Sequence, residues 1–243
     1  MSDEHSADSK INTVLYKLSG EMLGGERGIG LDADELDRVA SELFSVASAG
    51  IKTGVVVGGG NHFRGARNSA LSVSTLRAHQ MGMLFTIANA IALEQALQSQ
   101  GAAAIVQSSV AVPSIVELFD GVSFTQHLDN GAIVVFAGGT GCTHFTTDTA
   151  ASLRAIEMKA DILLKATDVE GVYDSDPAKN SEARMYDSLS FDQVLADNLT
   201  VMDAASIALC REHQMPIRVF NGSIPGNISK AAFGGDVGTL VHF

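Results

Sequence analysis

The chain has 243 residues, 46% hydrophobic and 18% charged, which is enough apolar content for one large unit with its own core and too much for a disordered chain. Its 28 acidic residues outnumber 16 basic ones, and the formal net charge of −12 repels phosphate backbones and anionic lipids, arguing against nucleic acid and membrane surfaces as partners. Two cysteines, Cys142 and Cys210, make no disulfide framework and point to a reducing cytoplasm, and no apolar run reaches the roughly 18 residues of a membrane span.

The opening MSDEHSADSK reads as a flexible polar tail, 1–10, without the apolar core of a signal sequence. From Ile11, INTVLYKLSG predicts a strand closed by a glycine turn. Lys17 ends this strand beside Ser19 and Gly20. Ligands of open α/β sheets collect outside the carboxyl ends of strands, where a lysine can neutralise a transferring phosphoryl group; a lysine facing water is the plainer alternative. Asp32 and Glu35 form an Asp variant of the capping box, followed at helical spacing by Leu36, Val39, Ala40, Leu43, Val46 and Ala47, with Gly50 as the stop.

The strand Gly54 to Val57 runs directly into Gly58-Gly59-Gly60. Three glycines let backbone N–H groups approach an anion closely, and Arg64 can hold the same anion through two parallel hydrogen bonds. A glycine turn with a surface arginine is the alternative. A second helix is predicted from about Gln80 to Gln98; its first half, MGMLFTIANAIAL, is apolar on nearly every face, which implies burial between other elements.

Buried-type strands follow at Ala102, Ala132, Asp161 and Pro216, with helices near Thr147–Lys159 and Asp203–Gln214. Apolar strands alternating with helices indicate an α/β sandwich around a mainly parallel sheet. Gly138-Gly139-Thr140-Gly141 forms a second glycine run at a strand end, and Phe145-Thr146-Thr147-Asp148 opens a helix whose N-terminus can face phosphate. Thr147 or Asp148 acting simply as the helix cap is the alternative. Lys165 ends a further strand, and the loop beyond it carries Thr167, Tyr173 and Asp176. Tyr173 could pack on a purine and Asp176 could hold a ribose, although Asp-Pro loops are also ordinary turns. GxxxxGK[ST], a GxGxxG helix opening after the first strand, zinc-type Cys/His spacing and GxSxG are all absent from the sequence.

In order, KLSGE from Lys17, GGGNHFRGA from Gly58, MGML from Met81, GTGCTHFTTD from Gly139, LKATDVEGVYDSDP from Leu164, VMD from Val201, PIRVFN from Pro216 and GTL from Gly238 resemble the bacterial UMP kinase family, from about Val14 to Leu240. The resemblance implies a three-layer αβα sandwich of the amino-acid-kinase type over 11–243, with an acceptor half of about 11–160 and an ATP-binding half of about 161–243. It also implies a homohexamer and, with Mg²⁺, the transfer of a phosphoryl group from ATP to UMP in pyrimidine nucleotide biosynthesis.

By matching position, the resemblance makes Lys17 the stabiliser of the transferring group and gives the UMP phosphate to Gly59, Gly60 and Arg64. Thr140 and Thr147 would contact the acceptor, and Asp148 and Asp203 would orient the centre. Ser19, Gly20, Lys165, Thr167, Tyr173 and Asp176 would lie on the ATP side, and no residue is assigned to a metal. Three departures stand out. His79 occupies the position of an Asp that grips the acceptor ribose, Cys142-Thr143 replaces Asn-Pro, and Glu94 and Gln98 offer no cation where many members bind GTP between subunits. Two rival readings remain: a catalytically silent oligomeric binding protein on the same scaffold, and a related carboxylate or carbamate kinase. Retention of Lys17, Arg64, Asp148 and Asp203 argues against the first, and FTTD with the GGGN–FRG pair argues against the second.

Overall fold

A computed structural model describes residues 11–62, 73–177 and 179–243. The 1–10 tail and Arg64 lie outside the described residues. The chain begins with β1 (Thr13–Leu18), 3₁₀ turns over Gly20–Arg27, α1 (Ala33–Ser48), β2 (Lys52–Val57) and α2 (Thr75–Ser99). It continues through β3 (Ala104–Ser108), β4 (Glu117–Leu118), α3 (Gly121–Asp129), β5 (Ile133–Ala137), α4 (Thr147–Met158) and β6 (Ile162–Thr167). The last third holds β7 (Ser188–Ser190), α5 (Phe191–Ala196), α6 (Ala204–Glu212), β8 (Ile217–Asn221), α7 (Asn227–Ala232) and β9 (Thr239–His242).

The described strands form one sheet in the order β4-β3-β5-β2-β1-β6-β8-β9-β7. Every pairing is parallel except β8 with β9, so the mainly parallel α/β sandwich is present. Strand alternation sorts the central side chains into two cores. Val14, Tyr16 and Leu18 of β1 join α1, α2 and α7 on one face. Leu15 joins α3, α4, α5 and α6 on the other, and Lys17 shares that second face because it lies two residues from Leu15.

Helix α1 starts as its sequence predicts: the Asp32 carboxylate accepts a hydrogen bond from the Glu35 amide, and Gly50 follows the last turn with φ of 87°. Helix α2 begins five residues before the predicted Gln80, with Ser74 accepting from the Arg77 amide. Its first turn, Thr75 to Ala78, is mostly exposed and carries no apolar stripe that would have marked it. Nor is α2 buried all round within one chain, because Leu76 and Leu84 are 51% and 54% exposed.

Strand β1 is central, and it is where the chain changes direction across the sheet. The strands up to β5 lie on one side of it, and β6 onward on the other. Such a switch point opens a crevice at the carboxyl ends of its strands.

Candidate active site

Register places Lys17 of β1 opposite Lys165 of β6, so two lysines stand side by side at the switch point. Asp148, the second residue of α4, sits between them. Its Oδ1 is 2.8 Å from Lys17 Nζ and its Oδ2 is 2.9 Å from Lys165 Nζ, and Lys165 also donates to the Val201 carbonyl at 2.6 Å. All three side chains are largely shielded. Burial by itself would raise the Asp148 pKa, but the two lysines outweigh it and hold the carboxyl below its usual range. Burial lowers the Lys165 pKa; Asp148 works against this shift, and the Lys17 charge adds to it.

The cap of α4 is neither Thr147 nor Asp148 but Thr146, whose Oγ1 accepts from the Asp148 amide at 3.0 Å. A run of two threonines before an aspartate leaves the capping residue undecided, and the backbone decides it: Thr146 is extended, and the helix begins at Thr147. The Thr146 hydroxyl also donates to Asp203 Oδ2. Asp203 caps α6 through the Ser206 amide at 2.8 Å and accepts from Thr149 Oγ1 at 2.9 Å. Burial raises its pKa, and the bonds from Thr146, Ser206 and Thr149 bring it below the usual range. Asp203 is thus tied to hydroxyls and an amide, and it joins the helix starts of α4 and α6.

The glycine loop after β2 packs against the turn after β1. A Cβ at Gly20 would lie 2.7 Å from the Gly58 carbonyl and 2.9 Å from the Gly60 amide nitrogen, so only glycine fits. A Cβ at Gly59 would come within 3.0 Å of the Gly82 carbonyl on α2. The loop is braced by a buried amide pair that motif reading missed. Asn89 Nδ2 donates to the Gly58 carbonyl and to Asn61 Oδ1, both at 2.7 Å, and Asn61 returns a bond to Asn89 at 3.1 Å. Asn89 is fully buried. Its signal was a lone amide inside the apolar TIANAIAL, since a buried polar side chain requires partners.

A cavity of about 870 Å³ opens beside these elements. Gly59, Gly60, His79, Thr140, Thr147 and Asp148 all line it, so the structure gathers most of the acceptor-side residues singled out from sequence. Thr86, another residue the motifs did not mark, anchors the far glycine run by accepting from the Gly138 amide at 2.8 Å. Thr140 Oγ1 accepts from the Cys142 amide at 3.1 Å.

Of the ATP-side residues, Lys165 bonds to Asp148 on the cavity wall and Gly20 packs against Gly60. Ser19 precedes the 3₁₀ turns without a side-chain cap, and Thr167 Oγ1 donates to Asp168 at 3.1 Å. The segment predicted as a loop after Lys165 folds back on itself, with Tyr173 bridging antiparallel to Met185 and Asp176 paired with Lys179 at 2.8 Å. Neither Tyr173 nor Asp176 is among the residues lining the cavity.

The sequence profile of the amino acid kinase family matches residues 12–221. The chain is 47% identical to a uridylate kinase of Zymomonas mobilis, covering 96% of each chain. It is 45% identical to one of Paramagnetospirillum magneticum, covering 97% of this chain and 98% of the relative. Among solved structures, UMP kinase from Bacillus anthracis superposes with a TM-score of 0.92 at 36% identity, over 96% of this chain and 97% of that one. UMP kinase from Ureaplasma parvum gives 0.91 at 31% identity, over 97% and 100%.

Proposed function

The chain belongs to the amino acid kinase family and, within it, groups with the uridylate kinases, and we propose from this that it transfers a phosphoryl group from ATP to UMP, giving UDP and ADP in pyrimidine nucleotide biosynthesis. The observation that carries the reading is the meeting of Lys17, Asp148 and Lys165 at the switch point, with Asp148 on the cavity wall. Phosphoryl transfer depends on positioning and charge neutralisation far more than on covalent chemistry by the protein. The acceptor is a phosphate with a second pKa of about 6, so it is already ionised near neutral pH and attacks without a general base. Asp148, ionised between two cations, then serves as their counter-ion and holds both Nζ atoms in place.

In this scheme Lys17 stabilises the transferring group and Lys165 the ATP phosphates. The backbones of Gly59 and Gly60, with Arg64, take the acceptor phosphate. Thr140 and Thr147 contact the acceptor, and the positive end of α4 faces the same cavity. Asp203 positions α4 through Thr146. Thr167, Tyr173 and Asp176 belong to the ATP-binding half, about 161–243, and Ser19 and Gly20 contact ATP from the turn after β1.

Mg²⁺ enters as the counter-ion of ATP. Among the described residues no group of three or more His, Cys, Asp or Glu is placed to hold a metal, and both Asp148 oxygens are engaged by lysines, so the nucleotide phosphates would be its main ligands. Self-association into a homohexamer and a cytoplasmic location complete the proposal. The exposed apolar Leu76 and Leu84 of α2 support the first, and the free cysteines support the second. Among the described residues no helix is long and apolar enough to cross a membrane.

The test is product identification: incubation with UMP and Mg-ATP should yield UDP and ADP in equal amounts, separated by chromatography, and chelation of Mg²⁺ should stop both. ADP without UDP would show hydrolysis of ATP in place of transfer to UMP.

A further inference from the structure

The loop from Gly138 to Thr146 carries a second imidazole that the proposed function leaves unused. His144 has φ of 70°, a left-handed backbone in which histidine is enriched among non-glycine residues. Its ring packs on that of His79, with centroids 4.9 Å apart and planes tilted by 51°. His79, Cys142 and Phe145 line the cavity; His144 is exposed and meets that wall through its ring contact with His79.

The helix gives the level of this pair. Gly82 lies against Gly59, the glycine proposed to take the acceptor phosphate. His79 is three residues earlier, roughly 4.5 Å along the axis. With the acceptor phosphate on Gly59, as in the proposed function, the sugar would come within reach of this pair. A neutral imidazole has one acceptor and one donor nitrogen, so a single ring cannot accept from two neighbouring hydroxyls; two rings can.

We propose that His144 is a specificity-determining residue that takes the 2′-hydroxyl of the acceptor sugar while His79 takes the 3′-hydroxyl, a two-imidazole clasp that selects ribonucleotides over deoxyribonucleotides. The inference rests on the UMP kinase reading.

Calorimetric titration of UMP and dUMP into wild type, His144→Ala and His144→Phe tests it. His144 is exposed, so both variants should melt at the wild-type temperature. Both should bind UMP roughly three- to tenfold more weakly, the range for one hydrogen bond, with dUMP and ATP changed less than twofold. His144→Phe retaining wild-type UMP affinity would reduce the contact to ring packing and overturn the clasp. Equal losses on UMP and dUMP would overturn it too. Turnover of UMP by the wild type, measured alongside, keeps the two claims apart. Without turnover the underlying reading fails and takes the clasp with it; with turnover and an unchanged UMP-to-dUMP ratio, only the clasp fails.

Discussion

Asp148 bridges two lysines, and this arrangement sets what single substitutions should do. In Lys17→Ala, Asp148 keeps its bond to Lys165, so the fold should survive with a near wild-type melting temperature. Turnover should fall at least about a hundredfold, the effect of losing one transition-state charge contact of about 3 kcal/mol. Steady-state rates on folded protein check this, and near wild-type turnover would remove Lys17 from the centre. The pKa shifts have opposite consequences at the two ends of the pH scale. The lowered carboxyl of Asp148 contributes stability at all pH above the ordinary value near 3.9 and loses it only as pH falls through the still lower folded value. The lowered Lys165 of the free protein gives up its proton earlier than a free lysine, so the alkaline limb of kcat/KM should set in below about pH 10.4. Arginine stays charged in this range, so Lys165→Arg should move that limb upward whatever its plateau rate. An unmoved limb would mean that another group titrates. Lys17 and Lys165 were readable as strand-end lysines, but their pairing was not: it depends on β1 and β6 being neighbours in register, across 148 residues of sequence.

The elements hold these groups through their starts and turns. Thr146 caps α4 and binds Asp203, which caps α6, so one hydroxyl ties the two helix N-termini together. Thr146→Ala should cost about 1 kcal/mol for the cap, lowering Tm by roughly 2–4 °C in a domain of this size. Thr146→Ser, which keeps the hydroxyl, should restore most of it, and a thermal melt of both variants decides. An unchanged Tm in the alanine variant would show that the cap carries no net stability. The helices with a cap residue and a clean apolar stripe, such as α1, were legible in the sequence. The start of α2 was not, because its first turn is mostly exposed and carries no apolar stripe. The short α3, α5 and α7 and the edge strands β4 and β7 escaped for a related reason: two to nine residues give too little periodicity to separate from loops. The bracing of the glycine loop by Asn61 and Asn89 also needed the fold, since the two residues are 28 apart and only packing brings their amides together.

At the scale of the whole molecule, the sequence led to a mainly parallel sandwich because its central strands are apolar on both faces, and the two cores bear this out. It did not show that α2 would leave Leu84 open within one chain. An apolar residue that the sequence marks for burial and a single chain leaves exposed fits a neighbouring copy. Under the proposed self-association, Leu84→Asp should shift the protein toward smaller species in analytical ultracentrifugation while leaving the secondary structure unchanged; an unaltered sedimentation profile would take α2 out of the proposed interface. The identity of the acceptor separates this enzyme from its relatives on the same scaffold. Release of ADP from Mg-ATP, measured with UMP, CMP, dUMP, acetylglutamate and carbamate in parallel, should give UMP the highest kcat/KM, with the carboxylate and carbamate acceptors at background. Turnover of acetylglutamate or carbamate with none on UMP would contradict the account.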